Sequence, residues 1–170
     1  MKINIKKIVI LGLLLSLALI LTFLESLIPP IIPVPGFKIG LSQIGVLLAF
    51  YAYSIKEGAF ISLGKTILAS LITGTFFTFV FWVGLCGALV SLPCLYLGKK
   101  MKFSIYSVSI FGAIGHNVGQ LLFISFSISA SVAFFYLPFV LVASLVAGFL
   151  IGYLCKLIFP LLEKQLEVRK

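Results

Sequence analysis

The run IVILGLLLSLALILTFLESLI, residues 8–28, decides the fold class of this chain. At about 1.5 Å per residue, a helix of its 21 residues crosses the roughly 30 Å hydrocarbon core of a bilayer. The run exceeds the apolar core of about 7–15 residues in a signal peptide, and it ends at Pro29 without a small-residue cleavage site. We therefore predict that it is retained as a first membrane span.

The composition of the whole chain is also strongly apolar. Of its 170 residues, 62% are hydrophobic and 10% are charged, and the mean hydropathy is +1.28. A typical soluble domain is about 25% charged, so this chain has too little polar sequence to coat a water-soluble globule. A net charge of +9 would suggest nucleic acid for a soluble protein. Here the composition instead predicts an all-α integral membrane protein with one transmembrane domain and no nucleic-acid partner.

Breaks in hydropathy divide the chain into about six spans. Prolines between residues 29 and 35 stop the first helix, and polar turns are predicted at 56–58, 73–75, 99–102 and 127–131. A short polar tail is predicted after span six. The predicted spans are residues 8–28, 39–53, 59–71, 76–97, 103–126 and 132–158.

Positive charges predict the orientation of these spans. Six spans put both termini on one side, together with eleven of the thirteen Lys and Arg residues. The other side receives only Lys38, and Lys65 falls inside span three. Because cytoplasmic loops of membrane proteins carry an excess of Lys and Arg, both termini are predicted to be cytoplasmic and the loop at 29–38 extracytoplasmic.

Several polar side chains fall in or beside the spans, where burial costs a few kcal/mol or more. Most of them fall in the outer half of the predicted bundle, which suggests an outward-facing pocket for a small, partly anionic molecule. His116 and Gln120 share one helix face because they are four residues apart. A purely structural role stays open: Lys65 could bond a backbone carbonyl, and His116 could link two helices. The candidate substrate-binding residues are Glu25, Lys38, Gln43, Lys65, His116, Asn117 and Gln120.

No catalytic or metal-binding pattern is visible in the sequence. The chain has no Asp and only four scattered Glu residues, and its three cysteines lie in apolar runs without metal-ligand spacing. Magnesium-dependent prenyl transfer needs clustered carboxylates to hold the metal on a diphosphate. We therefore expect a protein that is not an enzyme and has no cofactor or metal ion.

Small residues recur at helical spacing in two spans. Ser144, Gly148 and Gly152 lie four residues apart in span six, and Gly12 and Ser16 do the same in span one. In lipid, such stripes allow helices to approach closely. Packing within the bundle explains the stripe in span six, whereas Gly12 and Ser16 could also face another subunit.

Two motifs resemble a known family. One is Leu24-Glu25-Ser26 before a proline-rich loop that leads into PGFKIGLSQI, residues 35–44; the other is GHNVGQLL, residues 115–122. Both resemble the Gx transporter family, which is also labelled heptaprenyl diphosphate synthase component I. That family is similar to the substrate-binding S components of energy-coupling factor (ECF) transporters. The resemblance covers about residues 8–158.

The resemblance implies a multi-pass protein of the bacterial cytoplasmic membrane that captures a vitamin-like or precursor molecule from outside. Its implied partners are the lipid bilayer, a transmembrane coupling subunit and two ATP-binding-cassette ATPases. Gly12 and Ser16 stand where S components often carry an alanine pair for docking, and Lys65 stands where an arginine is expected. Two alternatives stay open: a non-catalytic membrane subunit of a prenyl diphosphate synthase, and a solitary transporter.

Overall fold

A computed structural model describes residues 5–27 and 40–167, with side chains as far as residue 164. Within these residues all regular structure is helical, and the chain passes through six helices. The helices are α1 (Ile5–Ser26), α2 (Gln43–Ala52), α3 (Ile55–Ile72), α4 (Phe79–Lys100), α5 (Ile105–Ser127) and α6 (Ala130–Glu167).

Four of the helices, α1, α4, α5 and α6, are long and apolar enough to cross a membrane. Helix α2 has 10 residues and is about 15 Å long, and α3 carries three charged residues in its 18. The helices pack into one bundle in which α5 lies between α4 and α6, while α2 contacts α1, α3 and α6. This confirms the predicted all-α membrane bundle.

Helix α2 is the centre of the main hydrophobic core. Every residue from Gln43 to Phe50 is buried, as expected for a short helix that is apolar on all sides. Gly45 allows α1 to approach closely, because a Cβ at this position would lie 2.7 Å from the carbonyl oxygen of Leu14. Enclosure by the other helices explains how an element this short can be buried along most of its length.

The polar turn predicted at 56–58 is wrong: these residues form the first turn of α3. Ser54 is the N-cap, and its side chain accepts a hydrogen bond from the backbone N–H of Lys56 at 3.3 Å. The Ser54 hydroxyl also donates to Glu57, whose carboxylate accepts a second bond from Lys7 at 2.5 Å. Ser54 and Glu57 have the spacing of a capping box, which starts the helix four residues before the predicted span.

The polar tail predicted from Pro160 is helical as far as Glu167, because α6 continues through Pro160 to that residue. Ile158, Phe159 and Leu162 pack against the main core, and the Phe159 ring meets Tyr51 edge-on at 6.1 Å. These contacts on both sides of Pro160 offset the backbone hydrogen bond that proline removes. The break expected near 73–75 is present, and Gly74 adopts a positive φ of 68° there.

Candidate ligand-binding site

A polar cavity opens at one end of the bundle, where α1, α3 and α5 finish and α2 and α4 begin. We call this the Glu25 end; under the predicted topology it faces the outside. The cavity has a volume of about 80 Å³, which is room for several waters or a small polar molecule. Its walls come from α1, α3, α4 and α5, from the segment that leads into α2, and from the segment between α3 and α4. The lining residues are Thr22, Glu25, Gly40, Ser42, Lys65, Thr66, Ala69, Ser70, Thr73, Thr75, Val80, Phe81, Gly84, His116 and Gln120.

The two charged residues of the cavity meet the segment that leads into α2. Glu25, in the last turn of α1, accepts a hydrogen bond from the backbone N–H of Gly40. Lys65, in the middle of α3, donates from Nζ to the Ser42 hydroxyl at 2.6 Å. Both charged side chains are buried. The segment that leads into α2 therefore contacts both a carboxylate and an ammonium.

His116 and Gln120 supply the wall on α5. Gln120 Nε2 donates to His116 Nε2 at 3.3 Å, as their spacing on one helix face predicts. The imidazole fits because α4 has Gly87 opposite it, where a Cβ would lie 2.8 Å from His116 Cε1. Gln120 is fully buried, and its Oε1 has no hydrogen-bond partner within the described part of the chain. Such an acceptor is available to a ligand.

Hydroxyl groups on α3 form the remaining polar wall. Thr66 donates to the carbonyl of Ser62, Ser70 to that of Ile67, and Thr73 to that of Ala69, at 2.7–2.9 Å. Sequence reasoning did not single out these residues. Ser62, Thr66 and Ser70 recur every four residues beside Lys65, and this spacing could have identified a polar face on α3.

Two predicted site residues do not line the polar cavity. Gln43 faces a separate space of about 10 Å³ between α2, α4, α5 and α6, together with Ser109. Asn117 donates from Nδ2 to the Ser144 hydroxyl at 2.7 Å and so connects α5 to α6. A third, Lys38, lies outside the described residues. Of the seven predicted residues, the cavity brings together Glu25, Lys65, His116 and Gln120.

The predicted docking pair lies on the outer surface of α1. Gly12 and Ser16 are exposed, and the Ser16 hydroxyl donates to the Gly12 carbonyl at 2.9 Å. A Cβ at Gly12 would have no neighbour within 4 Å. Within the described chain, the pair therefore takes no part in close helix packing.

A larger concavity at the same end of α5 and α6 has a different character. It has a volume of about 820 Å³ and a mostly apolar lining. Phe134 and Phe135 on its wall are 78% and 66% exposed. In a bilayer such a surface is solvated by lipid chains. The polar cavity, in contrast, is lined by both charged and amide side chains of the described residues.

The fold and the cavity define the class: an α-helical membrane protein with a buried polar site near one end of its bundle. Residues 14–158 match the family described as heptaprenyl diphosphate synthase component I, and the chain belongs to this family. The family description names a component of a synthase, and the four long apolar helices make this chain a membrane-associated one. No curated protein matches the chain.

Proposed function

We propose that this chain is the substrate-binding membrane component of an ECF-type transporter. It captures a small vitamin-like or precursor molecule in the polar cavity for uptake across the bacterial cytoplasmic membrane. The observation that supports this proposal is the convergence of Glu25, Lys65, His116 and Gln120 from three helices on one cavity. Burying such groups in a membrane protein costs several kcal/mol, and they are usually retained where they serve a ligand or ion.

The proposed role is binding rather than catalysis. The cavity contains one carboxylate, Glu25, and the chain has no Asp to add a second. Glu57 is engaged with Lys7 and Ser54 at the start of α3. Metal-assisted transfer of a diphosphate ester relies on several clustered carboxylates. ATP hydrolysis would instead be supplied by two partner ATPases acting through a transmembrane coupling subunit.

A second candidate is a non-catalytic membrane subunit that associates with heptaprenyl diphosphate synthase. The family description favours this candidate. The two candidates differ in their partners, so affinity purification from native membranes in mild detergent separates them. Recovery of a coupling subunit with ATPases supports transport, whereas recovery of a soluble prenyl synthase supports the second candidate. Ligand uptake by cells with neither partner would indicate a solitary transporter.

The same purification tests the docking surface on α1. Gly12→Leu and Ser16→Leu should each reduce recovery of the coupling subunit at least about tenfold, because a bulky side chain prevents close approach of a second helix. The isolated variants should melt like wild type, since the space beside Gly12 is open. Ser131→Leu, also at an exposed small residue, is the control and should recover the partner normally. Full recovery with both α1 variants would mean that this face meets lipid.

The topology is tested by labelling from outside the cell. In a background without Cys86, Cys94 and Cys155, a membrane-impermeant maleimide should label Thr73→Cys, at the Glu25 end. It should not label Lys100→Cys at the opposite end of α4 until the membrane is opened. Both positions are exposed, so accessibility in the folded protein does not limit either reaction. The reverse labelling pattern would turn the cavity toward the cytoplasm and contradict uptake from outside.

A further inference from the structure

Among the residues that the structure describes, one carboxylate and one ammonium line the polar cavity. Glu25 and Lys65 are each 5% exposed, and both line the cavity. Gly40, which donates to Glu25, is two residues from Ser42, which accepts from Lys65. Opposite charges thus contact the same short segment before α2. A buried ligand charge needs an opposite charge nearby, so this lining suits a ligand that carries both signs.

The hydrogen-bonding groups of the cavity are mostly acceptors. Thr22, Thr66, Ser70 and Thr73 all donate their hydroxyl hydrogens to backbone carbonyls of their own helices, at 2.7–2.9 Å. Their oxygens can therefore only accept further hydrogen bonds, and the oxygen of Thr73 already lies 2.9 Å from the Thr75 hydroxyl. The Oε1 of Gln120 adds a buried acceptor without a partner in the described residues. A ligand rich in N–H donors complements this surface.

A polyanion fits the same walls poorly. A diphosphate carries several negative charges and no N–H donors, and it would face the Glu25 carboxylate together with these hydroxyl oxygens. Among the described lining residues, Lys65 is the cationic side chain that could oppose it, and a lysine offers a point charge without bidentate geometry. One anionic group next to Lys65 is the charge that this arrangement accommodates.

We propose that the ligand of the polar cavity is a small zwitterion. Its protonated amine contacts Glu25, Gln120 and the α3 hydroxyl oxygens, and its single anionic group contacts Lys65. This inference rests on the proposed binding function and names the class of ligand.

The test begins with full-length protein purified from its native membrane. The protein is denatured, and the released small molecules are identified by mass spectrometry in both ion modes. We expect a near-stoichiometric compound with one amine and one acidic group. Glu25→Gln and Lys65→Met should each retain at least tenfold less of it. Gln43→Leu changes a buried amide that lines the separate small space beside Ser109. This variant should retain as much of the compound as wild type does.

A second measurement uses matched four-carbon probes on the wild-type protein and so does not depend on the folding of any variant. We expect 4-aminobutyrate at 10 mM or more to raise the melting temperature, because a ligand that binds only the folded state stabilises it. Butyrate, butylamine and inorganic diphosphate should leave the melting temperature unchanged.

The outcomes separate this inference from the binding function. A released compound that is uncharged, singly charged or polyanionic would contradict the proposal of a zwitterionic ligand. It would leave the proposed binding function supported. If nothing is released, stabilisation by butyrate, butylamine or diphosphate would contradict a zwitterionic ligand but still support a binding function. Stabilisation by 4-aminobutyrate alone would support the inference. If nothing is released and no probe stabilises the protein, both the inference and the proposed binding function fail.

Discussion

Gly148→Ala is expected to destabilise the bundle by about 3 kcal/mol, toward the upper end of the cost of overpacking. A Cβ at Gly148 on α6 would lie 2.6 Å from the Cα and 3.1 Å from the backbone nitrogen of Ile110 on α5. Neither atom belongs to a side chain that can rotate away, so α5 and α6 must separate to make room. Thermal unfolding of the purified protein, followed by circular dichroism, should show a clearly lowered midpoint.

The control is the same substitution at Gly12. This glycine is also in a helix, but the added methyl group would meet nothing within 4 Å. Gly12→Ala should therefore be neutral or stabilise the helix by up to about 1 kcal/mol, because alanine has the higher helix propensity. Equal melting temperatures for the two variants would contradict the close contact between α5 and α6.

Gln120→Leu is expected to weaken ligand binding roughly 5- to 150-fold. The substitution removes both the buried Oε1 acceptor and the bond from Nε2 to His116. The ligand group that faced this acceptor would stay desolvated without a partner, which costs about 1–3 kcal/mol. Calorimetric titration with the compound released from wild-type protein measures the change in dissociation constant.

Gln43→Leu provides the matched control for this titration. Gln43 is also a buried glutamine, but it lines the separate small space beside Ser109. Its replacement should change stability and leave the dissociation constant within about twofold. If Gln43→Leu weakened binding and Gln120→Leu did not, the ligand would occupy a different place from the polar cavity.

Asn117 shows how far spacing alone can predict a site. Its polar side chain in the outer half of a predicted span made it a candidate, yet this side chain bonds Ser144 on α6. Two neighbours on a helix point about 100° apart, so adjacent residues meet different partners. By contrast, His116 and Gln120 are one turn apart, and they share both a wall and a hydrogen bond.

Two local patterns in the sequence are enough to predict where α3 begins and which of its faces is polar. Ser54 and Glu57 have the spacing of a capping box, and Ser54 is the N-cap of α3. The hydroxyl residues Ser62, Thr66 and Ser70 repeat at one-turn spacing. Both features depend only on residues within one or two helical turns. The start of α3 and its polar face can therefore be predicted without knowledge of the fold.

The sequence by itself determined the membrane class and the helical character of this protein, because both depend on composition and on the length of apolar runs. It also indicated the small-residue face of α6, since period and residue size are local properties. Tertiary structure alone decided that Lys65 and Glu25 meet the start of α2, that α6 continues past Pro160, and that Gln43 turns away from the cavity. Each of these depends on which helices become neighbours, and such contacts between residues distant in the chain follow from packing the whole bundle.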